Sequence, residues 1–247
     1  MLGIINNKLS PKILGFWDNF LGFWELPENW ETKLILHKKG SQIDEDEIFI
    51  LEVNWSWRII SVSTKYEDMV RKMLESDFDE RKLKKIYEKA TNWKMTILWP
   101  IITSYLDNEQ EKEDVIDWRI QILEDKKLFD DFVKWCKDNE MKEVNMEFWN
   151  PSHKFFAFNV DWDIVSLGNY SMDDKKTIGH IWIVTPKRFS WKWYWKILVK
   201  AMVKDIIDNW LIPQYRTSKD NIASQKIALS LWFKKIMESY SLVKRKD

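Results

Sequence analysis

The chain has 247 residues, 39 basic and 39 acidic, for a formal net charge of zero. At 45% hydrophobic and 32% charged it has a globular rather than a disordered composition, and its neutral balance gives no global attraction to nucleic acid or to an anionic membrane surface. A single cysteine, Cys136, excludes an intramolecular disulfide and a cysteine-based metal site, and His37, His153 and His180 show no ligand spacing.

The start, MLGIINNKLSPK, lacks the apolar stretch of a signal peptide, and no apolar run reaches membrane-spanning length, so the expected location is cytoplasmic. Two β-rich runs follow, at 48–53 and 58–63, joined by Asn54-Trp55-Ser56-Trp57. Helical periodicity covers 65–76 and 80–90. KMTILW (94–99) reads as a strand ended by Pro100. Residues 109–139 read as helical, with Leu128, Phe129, Phe132, Val133 and Cys136 along one face. Strands are then expected at 144–149, 155–160, 163–168 and 177–185, with Asp161-Trp162 as a tight turn. A helix over 193–209, a strand over 212–217, a helix opened by Asn221 and a strand over 235–245 complete the chain. The change of texture near 140 predicts an accessory domain over 1–140 and a second domain over 141–247.

Two counts are abnormal. Glycine is 6 of 247 residues, against a usual share of roughly 7%, while tryptophan reaches 17. Six of those tryptophans follow Asn or Asp (residues 30, 55, 93, 118, 162 and 210), more than twice the number that the abundance of Asn and Asp implies. Asn-Gly and Asp-Gly are the strongest turn dipeptides. The pattern predicts that many of these tryptophans are UGA codons that the source organism reads as glycine; Trp17, Trp135 and Trp149 need not be among them.

The segments TIGHIWIVTPKRFSWKWYWKILVKAMV and LIPQYRTSKDNIASQKIALSLWF carry a family resemblance. The order is strand, Arg-containing loop, helix, strand and Asn-led helix. Arg188 is followed, at the spacing of an Arg/Gln-x-x-Gly-x-Gly/Ala loop, by Trp191 and Trp193, and Trp195 falls where a further small residue is common, so that Gly is expected at 191, 193, 195 and 232. Asn221, Ser224 and Leu231-Trp232-Phe233 match a helix that ends in Leu-Gly-Phe. The C-terminal half thus resembles the acetyl-CoA-binding half of the GNAT superfamily of N-acetyltransferases, with Trp at the family's Gly places.

The resemblance implies an α+β fold in which a mixed central sheet is flanked by helices. It implies acetyl-CoA as co-substrate, an amine of a small molecule or peptide as acceptor, and no nucleic-acid or membrane partner. Backbone groups of Ile183, Val184 and Thr185 would bind the pantetheine arm. The loop Arg188, Phe189, Ser190, Trp191, Lys192 and Trp193 would hold the pyrophosphate at a helix N-terminus, where N–H groups and the helix dipole favour anions. Asn221 and Ser224 would lie on the CoA side. The family's Tyr general acid falls at Ala228, so no catalytic acid or base is assigned, and His180, Tyr215 and Tyr240 are not chosen for either role. The alternative function is a non-enzymatic relic of the fold, or a basic aromatic binding module built on KRFSWKWYWKILVK.

Overall fold

The computed structural model describes residues 4–5, 8–21, 31–37, 43, 47–53, 57–76, 78–106, 117–139, 152–190 and 192–245. In chain order its elements are β1 (Ile4–Ile5), β2 (Lys8–Leu9), α1 (Pro11–Leu21), β3 (Thr32–Leu36), β4 (Ile48–Val53), β5 (Trp57–Val62), α2 (Glu67–Leu74) and α3 (Glu80–Thr91). Next come β6 (Met95–Leu106), β7 (Ile120–Ile122), α4 (Lys126–Asn139), β8 (His153–Val160), β9 (Asp163–Met172) and β10 (Ile178–Val184). The chain ends through α5 (Lys187–Ser190), α6 (Tyr194–Asp208), β11 (Ile212–Ser218), α7 (Ile222–Ser230) and β12 (Phe233–Lys244). The class is the expected mixture of α and β, with helices on the faces of mixed sheet.

The chain forms two compact units, and they follow strand pairing rather than a break near 140. One comprises residues 1–13, 105–216 and 226–234; the other comprises 14–104, 217–225 and 235–247. The C-terminal strand explains the difference. β12 pairs antiparallel with β4 from Met237↔Val53 to Leu242↔Ile48, which returns the chain end to the N-terminal strands.

In the first unit the strands run β11-β10-β9-β8-β7. Alternation along β8 sends Phe156 and Phe158 to one face and Phe155 and Ala157 to the other. On the first face α6 buries Leu198, Val199, Met202 and Ile206 against Phe156, Phe158, Tyr170, Ile181 and Tyr215. Each such apolar side chain contributes about 1.5–3 kcal/mol by leaving water. On the second face α4 places Phe129, Phe132, Val133 and Cys136 against Phe155, Ala157, Leu167 and Val184. Gly168 and Gly179 mark where α6 lies closest to the sheet. A Cβ at Gly168 would stand 2.7 Å from Met202 Cε, and one at Gly179 would stand 2.9 Å from Ile206.

In the second unit the order is β3-β5-β4-β12-β6. Ile48, Ile50, Ile60, Val62, Tyr240 and Leu242 from the strands bury Val70 and Met73 of α2 and Leu83 and Tyr87 of α3. Asp79 caps α3, its carboxylate accepting the N–H of Arg81 at 2.8 Å.

Three expectations are corrected. β6 does not stop at Pro100 but continues to Leu106. Proline removes only the N–H, and the Pro100 carbonyl still accepts the Lys219 N–H at 2.8 Å. Among the described residues of 109–139, the helical reading holds from Lys126 onward but not at Ile120–Ile122, which pairs antiparallel with Phe158–Phe156 as β7. Leu128, placed on one face of α4 with Phe129, Phe132, Val133 and Cys136, is 49% exposed whereas those four are buried. The strand expected at 144–149, residues 109–116 and the connector 54–56 lie outside the described residues.

Candidate active site

β10 pairs with β9 over its whole length, from Gly179↔Met172 to Val184↔Leu167. Its parallel pairing with β11 covers only Ile178↔Ile212 to Ile181↔Tyr215. The β11-side edge of Trp182, Ile183 and Val184 therefore lies outside that ladder. Such an edge presents backbone N–H and C=O groups to an extended ligand. Ile183, Val184 and the following Thr185 are the residues that the resemblance places along pantetheine. Ser166 anchors this end of the strand, its hydroxyl donating to Val184 O at 3.3 Å and lying 2.7 Å from Thr185 Oγ1.

Pro186 and α5 carry the chain from the end of β10 to α6. Pro186 O accepts the Phe189 N–H at 2.9 Å, and Phe189 O accepts the Lys192 N–H at 3.1 Å. The Ser190 hydroxyl donates to Lys187 O at 2.8 Å. Trp193 is the N-cap of α6, a helix of 15 residues, and its backbone is left-handed at φ 62°, ψ 10°. Ordinary N-cap residues have extended backbone. Trp193 O accepts the N–H groups of Lys196 and Ile197 at 2.9 and 3.3 Å. Its ring is 58% exposed and stacks on Trp195 at 5.7 Å. The Trp195 indole N–H in turn donates to Ser190 O at 3.1 Å. Arg188 lays its guanidinium over the Trp135 ring at 3.9 Å and over Phe189 at 4.5 Å. Lys187, Arg188, Lys192 and Lys196 make the segment before and within the first turn of α6 strongly cationic. Trp191 lies outside the described residues.

Asn221 belongs to the second unit. Its side-chain oxygen accepts the Ser224 N–H at 3.0 Å, which makes it the N-cap of α7. Ala228, at the family's Tyr place, is 4% exposed, and Tyr215 is buried against Phe233 at 5.6 Å. Burial pushes the Tyr240 phenol well above its ordinary value, with the Glu52 charge adding to it.

Sequence reasoning left His180 without a catalytic role and did not single out its neighbours Gln214 and Tyr105. His180 and Gln214 face each other across the β10–β11 ladder on the side that carries α4. His180 Nδ1 lies 2.5 Å from Gln214 Oε1, an oxygen that can only accept, so Nδ1 carries the imidazole proton. Gln214 Nε2 donates to the Tyr105 hydroxyl. Burial pulls the His180 pKa down to about 4, with the Arg216 charge acting in the same direction, so the ring is neutral at pH 7. On the α6 side Asp205 accepts from the Tyr170 hydroxyl at 2.6 Å and from Lys154 at 2.6 Å. The alternation of β10 around Ile181 was the only signal in the sequence for the polar row, and Gln214 becomes meaningful only once the register is known. No cluster of three or more His, Cys, Asp or Glu residues suited to a metal ion occurs among the described residues. No described helix is long and apolar enough to cross a membrane.

No protein-family model and no curated protein matches the chain. Solved structures with a similar chain course include GNAT-family acetyltransferases. One is a protein of Novosphingobium aromaticivorans assigned as an acetyltransferase of that family; the match has 13% identity and a TM-score of 0.49, covering 62% of this chain and 68% of that one. Another is an acetyltransferase of the GNAT family from Colwellia psychrerythraea, with 14% identity and a TM-score of 0.48, covering 61% of this chain and 57% of that one.

Proposed function

We propose that the protein is an acetyl-CoA-dependent N-acetyltransferase that acts on a primary amine of a small molecule or peptide. The single observation behind this reading is the end of the β10–β11 ladder at Ile181 and Tyr215, directly before an Arg-containing loop that enters the N-terminus of α6. The β10 edge beyond that ladder offers backbone groups to an amide-bearing arm, and the helix start offers N–H groups to a pyrophosphate. Arg188, Lys192 and the backbone of Phe189 and Ser190 are the phosphate-side residues, and Ile183, Val184 and Thr185 are the pantetheine-side residues. Asn221 and Ser224 start the second helix of the pattern.

The strand edges fit such a co-substrate, but residue 193 does not. A backbone that must approach phosphates closely is incompatible with a half-exposed indole at the helix start. On this reading the chain as written keeps the strand side of the site and carries an indole where the phosphate side calls for glycine. Burial and the Arg216 charge, which pull the His180 pKa down to about 4, make this ring a poor acceptor for an amine proton, and no catalytic base is assigned to it.

Isothermal titration with acetyl-CoA tests the reading, using the chain as written and a form with glycine at 191, 193 and 232. Saturable binding by the glycine form, much weaker in the chain as written, is the expected result. Absence of binding by both forms would sink the acetyltransferase reading and leave a non-enzymatic protein of this fold.

A further inference from the structure

The backbone of the described residues contains seven non-glycine residues at positive φ, and four of them are tryptophan: Trp162 at 73°, Trp193 at 62°, Trp210 at 62° and Trp232 at 66°. Asn92 and Asp161 belong to the residue types that tolerate this region; Lys176 completes the set. The described glycines, Gly15, Gly168 and Gly179, are all outside it. A bulky side chain in the left-handed region is a true outlier, and here tryptophan holds most of the places that ordinarily call for glycine.

Three of the four sit in a recognised glycine context, a hairpin turn or a helix C-terminus. Asp161 (φ 50°) and Trp162 form the two-residue turn between Val160 and Asp163, which pair across the β8–β9 hairpin. Positive φ at both central residues defines a type I′ turn, whose preferred sequence is Asn-Gly or Asp-Gly. Trp210 follows the C-cap Asn209 of α6. Its N–H bonds to Ile207 O at 2.9 Å, and the Leu211 N–H bonds to Ile206 O at 3.0 Å. That pair of bonds is the Schellman motif, with Trp210 at the left-handed glycine position. Trp232 closes α7 likewise, its N–H bonding to Leu229 O at 3.1 Å. Trp193 enters α6 from the cationic loop.

None of these rings is inside. Trp162 is 100% exposed, Trp210 79%, and Trp193 and Trp232 58% each. Other tryptophans behave oppositely. Trp17 is 2% exposed within α1, Trp135 carries the Arg188 guanidinium, and Trp93 lies between the ammonium groups of Lys65 and Lys244. Trp195, with helical backbone and a bonded indole N–H, joins this second group.

We infer that the working protein carries glycine at 162, 193, 210 and 232 and tryptophan at 17, 93, 135 and 195. UGA accounts for the first set, because variant genetic codes read it as Trp in some lineages and as Gly in others; UGG accounts for the second. The inference does not rest on the acetyltransferase reading, since three of the four positions lie outside the loop before α6. It does bear on that reading, because glycine at 193 clears the helix N-terminus of its indole.

Peptide mass spectrometry of the protein from its source cells decides the matter. Glycine at all four positions, with tryptophan at 17 and 135 in the same digest, is expected. Tryptophan at any of the four overturns the assignment, as does a UGG codon at any of them. A recombinant pair supplies a physical readout independent of the source. The quadruple variant Trp162→Gly, Trp193→Gly, Trp210→Gly, Trp232→Gly should melt at a higher temperature than the chain as written, and Trp17→Gly at a lower one. A lower Tm for the quadruple variant counts against the inference. Acetyl-CoA binding enters none of these readouts, so this inference and the acetyltransferase reading can fail separately.

Discussion

His180 stands in β10 with its Nδ1 proton committed to Gln214, and burial holds its pKa at about 4, against 6.5 for an unperturbed imidazole. Between those values the unfolded chain binds the proton and the folded chain does not, so stability rises with pH there. The contribution is complete above pH 6.5 and is lost as pH falls toward 4. By pH 5 the loss amounts to about 2 kcal/mol. Urea denaturation at pH 7 and pH 5 measures it. The parent should lose about 2 kcal/mol more between the two conditions than His180→Asn, which has no group to titrate. Parallel losses in both proteins would show that another group governs the acid response. Gln214→Leu addresses the same row by geometry. It removes the Gln214 bonds to His180 and Tyr105, and should cost about 1 kcal/mol at pH 7.

Caps and turns decide where each element ends, and there the chain is most legible. Asn221 was readable as a helix start because Asn at an N-cap takes an orphan N–H, and the 3.0 Å bond to Ser224 is that contact. Asn221→Ala should destabilise by about 1 kcal/mol in thermal or urea unfolding, and Asn221→Ser by much less. Equal losses from Ala and Ser would assign the effect to something other than capping. The hairpin at Asp161-Trp162 was equally legible, but only by reading Trp162 as glycine. Legibility failed where tertiary pairing overrode a local signal. Pro100 reads as a terminator, yet it sits inside β6 because a strand can lose one N–H and keep its carbonyl bonded. Ile120–Ile122 lies in a charged stretch that reads as helix and becomes β7 because β8 offers it an edge. The candidate site divides the same way. The loop and its cationic residues are local and visible, whereas the end of the β10–β11 ladder and the pairing of His180 with Gln214 depend on register between segments more than 30 residues apart.

At the scale of the molecule, the change of texture near residue 140 suggests two consecutive domains, yet the compact units are discontinuous in sequence. The reason is β12. Six consecutive residues of it, Met237 to Leu242, pair with β4, and Tyr240 and Leu242 fill the core formed by Ile48, Ile50, Val70, Leu83 and Tyr87. A fragment 1–140 lacks those side chains and leaves β4 with an open edge, which invites association rather than folding. A fragment 141–247 lacks α4, so Phe155, Ala157, Leu167 and Val184 lose the apolar face that covers them. Neither fragment should therefore fold alone: each should show shallow, non-cooperative thermal unfolding by circular dichroism, or aggregate. Co-expression of the two pieces should restore a cooperative transition, because β12 can pair with β4 in trans. A sharp melt for 1–140 by itself would mean that β12 is dispensable to the N-terminal strands, and that the domain boundary belongs near 140 after all.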